Sequence, residues 1–447
     1  MPRSVLLLHV LFCSLSAAWA QDPVKVAPQN YKVLLENDRV RVLEALLKPS
    51  DRTPQHSHPA RVVYSLSDHS AIFRSPEGRV THSVSKAGDT VWRDPVIHSE
   101  ENDGKADSHA ILVEFKESPA RAEALTRSDY FVTGESSSRL FVRHVTFGSN
   151  QQLPILLVPG GSPPSEVLFD LPVAGYSLAD DLARMGLDVF LMNPRGWGKS
   201  TPAPNSAEAV GDFKQVTADI GSVVGDILRN TGHARLVLFG HASGGLWAAM
   251  YATQHQDNVA ALVLLNSMYG VDAPWGLRQS FEDPNHPGTF DARAGPYRLA
   301  TAEGLLDGWN RSIPVSNKDG WRDPRVAQAY VTLALASDPT SESRTPPSIR
   351  IPGAFRKEHY LLSEGQKLWD ARDLKLPVLY MRGSRDHWSR PEDLDAMKRD
   401  LGATRASKFA TIPNGTHFLF LDRPGHGRDE MLKQIQEFTA AINKPKK

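Results

Sequence analysis

The chain has 447 residues, 40% hydrophobic and 23% charged, an ordinary globular balance at a length that suggests two or three domains. Lysine plus arginine equals aspartate plus glutamate at 51 each, so no global charge draws the chain to nucleic acid or to an anionic membrane surface. The one cysteine, Cys13, excludes a disulfide framework, a thiolate zinc site and a cysteine nucleophile downstream of it.

Residues 1–20 read as a signal peptide. Arg3 supplies the positive start, residues 5–12 form a short apolar run, and Ala18-Trp19-Ala20 fits a small-x-small cleavage pattern. Gln21 is then the first mature residue, and the protein is expected to be secreted or periplasmic. The run is far shorter than the ~20 residues that span a bilayer, so no stable membrane anchor is expected. Lipoprotein processing at Cys13 is disfavoured because Phe12 stands where a small residue is needed.

Residues 24–117 carry short β-type runs at 39–45, 61–66, 71–74 and 109–115. Turn signals such as Pro76-Glu77-Gly78 and Ala87-Gly88-Asp89 separate them. This spacing predicts a small antiparallel barrel or sandwich. Residues 118–138 are rich in Ser, Glu and Arg and read as a linker.

From residue 139 the pattern changes. Apolar strands are predicted at 153–158, 187–192, 235–239, 259–265 and 376–381, with helices at 177–185, 210–229 and 244–255 between them. Alternating strands and helices imply right-handed βαβ units and a mostly parallel sheet with helices on both faces. The alternation stops between about 268 and 373, where Pro, Gly, Asp and the aromatics Trp275, Trp309 and Trp321 are frequent. An insert of that length is too long for one loop and reads as a lid.

The segment Leu236-Val237-Leu238-Phe239-Gly240-His241-Ala242-Ser243-Gly244-Gly245 is a strand, a tight glycine-flanked turn and a helix start. That is the setting of the nucleophile elbow G-x-S-x-G. Here Ala242 holds the central position and Ser243 comes one residue late. The Gly198-Lys199-Ser200-Thr201 run is no P-loop, since the glycine that motif needs at position 193 is Asn193.

Over about residues 128–443 the chain resembles the α/β-hydrolase superfamily. Pro159-Gly160-Gly161-Ser162 matches the turn that builds half the oxyanion hole, and 193–200 matches the turn D-x-R-G-x-G-x-S with Asn193 for Asp. Gly383-Ser384-Arg385-Asp386 resembles the G-x-x-D that carries the acid, and Pro413-Asn414-Gly415-Thr416-His417 the late loop that carries the histidine. The order nucleophile, acid, histidine is the family's. The resemblance implies His417 as general base, Asp386 as its orienting acid, and N–H groups of Gly161, Ser162 and Ser243 as the oxyanion hole. The bland alternatives are a helix N-cap for Asp386 and a surface site for His417.

Over about residues 28–116 the chain resembles the cupins. Pro54-Gln55-His56-Ser57-His58-Pro59 and the run Gly88…Asp94-Pro95…His98…Asn102 match their two motifs. The resemblance implies a metal site of His56, His58 and His98, suited to Zn²⁺, Ni²⁺ or Fe²⁺. The motif's glutamate would fall near residues 62–64, where no acid stands. A metal-free barrel with packed histidines is the alternative.

The expectation is an exported α/β hydrolase acting on ester- or amide-type bonds of a small, partly apolar substrate. It needs no cofactor in the hydrolase part, and a transition metal is possible in the cupin-like part. Ala242 brings no attacking oxygen, so the chain is expected to be inert, either as a Ser→Ala variant or as a non-catalytic binding protein. Rescue by Ser243, or by His417 acting on water, is a third reading.

Overall fold

The computed structural model describes residues 21–37, 40–116, 124–148, 153–201, 211–293, 295–402 and 406–442; the expected signal peptide lies outside them. The chain divides into two compact units, residues 1–121 and 122–447.

The first unit is all-β. Its strands are β1 (Tyr31–Glu36), β2 (Val40–Leu47), β3 (His56–His58), β4 (Arg61–Ser65), β5 (His69–Arg74), β6 (Val80–Ser85), β7 (Thr90–Arg93), β8 (Val96–Asn102) and β9 (Ser108–Phe115). They form two antiparallel sheets, ordered β1-β2-β9-β4-β7 and β3-β8-β5-β6. Period-2 alternation sets the inward face: on β9, Ser108, Ala110, Leu112 and Glu114 are buried while their neighbours are not. Tyr31, Leu43, Ala45, Ala110 and Leu112 make the small core.

The second unit is built on one eight-stranded sheet. Its strands are β10 (Leu125–Thr133), β11 (Arg139–Phe147), β12 (Pro154–Val158), β13 (Asp188–Met192), β14 (Leu236–His241) and β15 (Val259–Leu265). After an insert holding β16 (Glu282–Asp283), β17 (His286–Phe290), β18 (Tyr297–Thr301) and β19 (Ser348–Pro352) come β20 (Val378–Gly383) and β21 (Lys408–Ile412). The order is β10-β11-β13-β12-β14-β15-β20-β21. All pairings from β13 onward are parallel, and β10 and β11 are antiparallel. Strands β12, β14 and β15 are buried throughout, as a parallel sheet covered by helices requires.

The linker expected at 118–138 is corrected here. Its residues 125–133 are β10, paired with β11 along its whole length from Leu125↔Phe147 to Thr133↔Arg139. It reads as linker because an edge strand presents polar groups outward: Arg127 pairs with Asp170 at 2.7 Å, and Asp129 with Arg143 at 2.7 Å. The α/β unit therefore starts before residue 139. The expected lid is a folded insert with the helices Ala302–Ser312, Pro324–Ser337 and Phe355–Ser363 and two β-ribbons. Among the described residues, no helix is long and apolar enough to cross a membrane.

Candidate active site

Strand β14 ends at His241, and the helix Ser243–Gln254 begins two residues later. Ala242, between them, has φ 52° and ψ −117°, a region that costs a residue with a Cβ on the order of 1–3 kcal/mol. The flanking glycines make the turn sterically possible. A Cβ on Gly240 would stand 2.4 Å from the Gly244 oxygen, and one on Gly244 2.2 Å from the Val158 oxygen. The strained elbow is thus fully built, with a methyl group at its tip.

His417 and Asp386 come together as the sequence predicts. The His417 Nδ1–H donates to Asp386 Oδ1 at 2.7 Å, leaving Nε2 free to accept a proton. The backbone N–H groups of Trp388 and Ser389 also donate to the Asp386 carboxylate, at 3.0 and 2.8 Å. Burial pushes this carboxyl up, but His417, His387 and the hydrogen bonds outweigh it and hold it well below the usual carboxylate range. Asp386 is neither a helix cap nor exposed: it lies buried beneath His417.

The oxyanion donors need one correction. The Ser162 N–H is engaged, donating to the Gly160 carbonyl at 2.8 Å, because the turn closes tightly there. Among the described residues, the N–H groups of Gly161 and Ser243 have no hydrogen-bond partner, so these two remain. Gly160 packs against the elbow; a Cβ there would meet the Ala242 Cβ at 3.1 Å. The Ser243 hydroxyl is buried 3.5 Å from His359 Nε2 and does not line the pocket.

Sequence reasoning missed His241, His387 and the arginines of the insert. Burial, reinforced by the neighbouring His417, pushes the His241 and His387 imidazoles down to about 3, so both stay neutral. A pocket of about 370 Å³ opens over His417. Phe281, Tyr330, Phe355, Trp388 and Phe418 supply its aromatic walls.

The first unit brings its three histidines together. His56 and His58 share one face of β3, and His56 lies opposite His98 in the ladder to β8. The His56 Nδ1–H donates to the Pro54 carbonyl at 2.8 Å, and the His58 Nδ1–H to Glu114 Oε1 at 2.6 Å. Both Nε2 atoms therefore carry lone pairs, yet they stand 3.0 Å apart. The buried His98 Nε2 has no hydrogen-bond partner. The ligand atoms of the three lie within 4.8 Å of one another. Burial lowers the pKa of all three imidazoles, that of His98 to about 2, so a shared proton is a poor remedy and a divalent cation fits the donor set. Glu114 was not legible as a partner, because it comes from β9, 56 positions from His58.

Residues 154–302 match the family model described as alpha/beta hydrolase fold. A probable 1-acylglycerol-3-phosphate O-acyltransferase from Oryza sativa subsp. japonica is 23% identical over 322 residues, 67% of this chain and 71% of the relative. Among solved structures, a serine hydrolase from Cycloclasticus zankles is similar with a TM-score of 0.49 and 12% identity, covering 72% of this chain and 100% of its own. A thermophilic esterase from Thermogutta terrifontis has a TM-score of 0.45 and 20% identity, covering 71% and 100%. The family match runs from β12 through β18, a third of the chain, and over that stretch the larger unit is similar to the alpha/beta hydrolase fold family.

Proposed function

We propose that the larger unit is a site for cleaving ester- or amide-type bonds of a small, partly apolar molecule, and that Ala242 leaves it able to bind but not to cleave. One observation carries this reading: a strained elbow and an ordered His417–Asp386 pair surround a position that lacks only a hydroxyl. A serine there would attack the carbonyl carbon as His417 Nε2 takes its proton. The tetrahedral oxyanion would face the Gly161 and Ser243 N–H groups, and His417 would return the proton to the leaving group. Water would then repeat the sequence on the acyl-enzyme. The acyl-transfer name of the curated relative agrees with that chemistry. The deciding experiment is a fluorophosphonate probe on the chain as it stands and on Ala242→Ser. Labelling only the serine variant supports the reading. A folded Ala242→Ser protein that neither labels nor hydrolyses any ester, lactone or amide overturns it.

Ala242 itself favours a second reading, a non-catalytic binding protein that uses the same pocket. That failed-labelling outcome selects it.

For the first unit we propose a cupin-like metal site of His56, His58 and His98, with Glu114 orienting His58. Such an ion would supply a Lewis-acidic centre held by three neutral imidazoles. We further propose export, with Gln21 as the mature N-terminus; sequencing the protein from its native host tests this, and a retained Met1 overturns it.

A further inference from the structure

The pocket over His417 is walled by aromatic rings, yet three arginines, Arg298, Arg311 and Arg356, also line it. Arg278, Arg293, Arg325, Arg344 and Arg350, elsewhere in the insert, each close on a carboxylate at 2.7 to 3.1 Å. The pocket arginines do not. Among the described residues none of the three makes an ion pair within 4.0 Å, and Asp307, the lining's one acid, pairs with no cation. Arg322 also makes no ion pair among the described residues, and it packs over Trp309 instead.

Two of the three are half-buried. Arg298, on β18, reaches the oxyanion turn, its Nη2 3.5 Å from the Gly161 carbonyl. Arg356 lies over the Phe281 ring at 5.0 Å and donates Nη2 to the Ser280 carbonyl at 2.9 Å. A guanidinium carries five donors, so most of the donors of both stay unused. Burial lowers the pKa of both; the Arg356 charge lowers that of Arg298 further, while Asp291, itself paired with Arg293, raises that of Arg356 in part. Two partly desolvated cations without an ion-pair partner are costly, and an anionic ligand would offset that cost.

We infer that the pocket takes a substrate bearing an anionic oxygen group, carboxylate or phosphate, held by Arg298 and Arg356 with its apolar body against Phe281 and Trp388. This rests on the proposed hydrolase reading for the bond that is cleaved, but not for binding. Guanidinium–oxyanion hydrogen bonds are charge-assisted and often bidentate. Because Arg298 reaches the Gly161 turn, the anionic group would sit near the scissile bond rather than at the pocket mouth. Arg311 is exposed and serves as an outer charge that steers the ligand.

The test uses three aryl acetates on one scaffold, titrated calorimetrically against the chain as it stands. They are 4-acetoxybenzoate, 4-acetoxyphenyl phosphate and the neutral 4-acetoxybenzamide. At least one anion should bind about tenfold or more tighter than the amide, and which one does so separates carboxylate from phosphate. The gap should shrink at 0.5 M salt. It should vanish in an Arg298→Gln, Arg356→Gln double variant and largely persist in the Lys, Lys counterpart. Equal affinities for all three, or a gap that survives the Gln, Gln change, overturn the inference. If the Gln, Gln protein does not fold, the amide comparison and the salt dependence on the unaltered chain decide. Failure of the hydrolase reading looks different: anion-selective binding with an Ala242→Ser variant that cleaves none of the three. An Ala242→Ser enzyme that cleaves all three at equal kcat/KM keeps the hydrolase reading and removes this one.

Discussion

The imidazole of His241 donates Nε2–H to the backbone carbonyl of His417 at 2.9 Å, and the two rings stand 4.6 Å apart. The residue before the elbow's tip therefore fixes the backbone of His417, the proposed base. Ala242→Ser should place its hydroxyl within about 2.6–3.2 Å of His417 Nε2. Ester hydrolysis should then rise well above that of the parent, which retains at most ~10³–10⁴-fold catalysis over water. In that background His417→Ala should abolish turnover, Asp386→Asn should cut kcat by roughly 10⁴, and Ser243→Ala should change it less than about twofold. Parent hydrolysis that disappears with Ser243→Ala would make Ser243 the nucleophile.

The converging Nε2 atoms of His56, His58 and His98 predict about one transition metal per chain in protein purified without chelator. A His56→Ala, His58→Ala double variant should lose it. Glu114→Gln should weaken it by about 10–100-fold, since the carboxylate orients the His58 ring. Elemental analysis and chelator competition measure both. Equal, near-zero metal in parent and variant would make the histidines structural.

Asp422 anchors the loop that bears His417, accepting from the Thr416 N–H and hydroxyl and from Trp309 Nε1. Burial pushes its carboxyl up to about 7 despite those hydrogen bonds. The folded state then binds a proton that the unfolded chain has released, so this group's stabilisation is greatest below pH ~4 and is lost as pH rises toward 7. Asp422→Asn removes that dependence. Its stability deficit relative to the parent, from urea melts, should shrink by on the order of 2 kcal/mol between pH 5 and pH 8. A constant or growing deficit would show that Asp422 is ionised in the fold at pH 5.

Gly244→Ala tests the elbow's packing. Its Cβ would lie 2.2 Å from the Val158 oxygen and 2.6 Å from that of Pro159, both backbone atoms that cannot swing aside. A loss on the order of 3 kcal/mol or more is expected, read as a lower melting midpoint. Gly232→Ala, where a Cβ meets nothing within 4 Å but φ is +73°, should cost only about 1 kcal/mol. Equal losses at the two sites would mean that the elbow relaxes around the added Cβ and that the contacts with Val158 and Pro159 do not govern it.

The parallel strands were legible because buried strands read as unbroken apolar runs, and the elbow because only glycines fit around it. Asp386 and His417 were legible from the turns that present them. β10 was not, since Arg127 and Asp129 break its apolar pattern, and the partners that satisfy them, Asp170 and the cross-strand Arg143, are met only in the fold. Arg298 and Arg356 carry no local signature either: what marks them is the absence of a carboxylate partner among the described residues, which only the folded insert displays. Glu114 looked like one more alternating strand residue until the two sheets brought it to His58.

The elbow has one more consequence, which concerns interchange. The backbone at 242, the crowded glycines and the base–acid pair make no use of the side chain at the tip. On the proposed reading position 242 is therefore a socket, and the chemistry would be set by what is plugged into it. Serine would form an oxygen ester with an acyl group, cysteine a thioester and aspartate a covalent adduct at carbon, all beside the same imidazole. In this chain the socket is fitted with a blank.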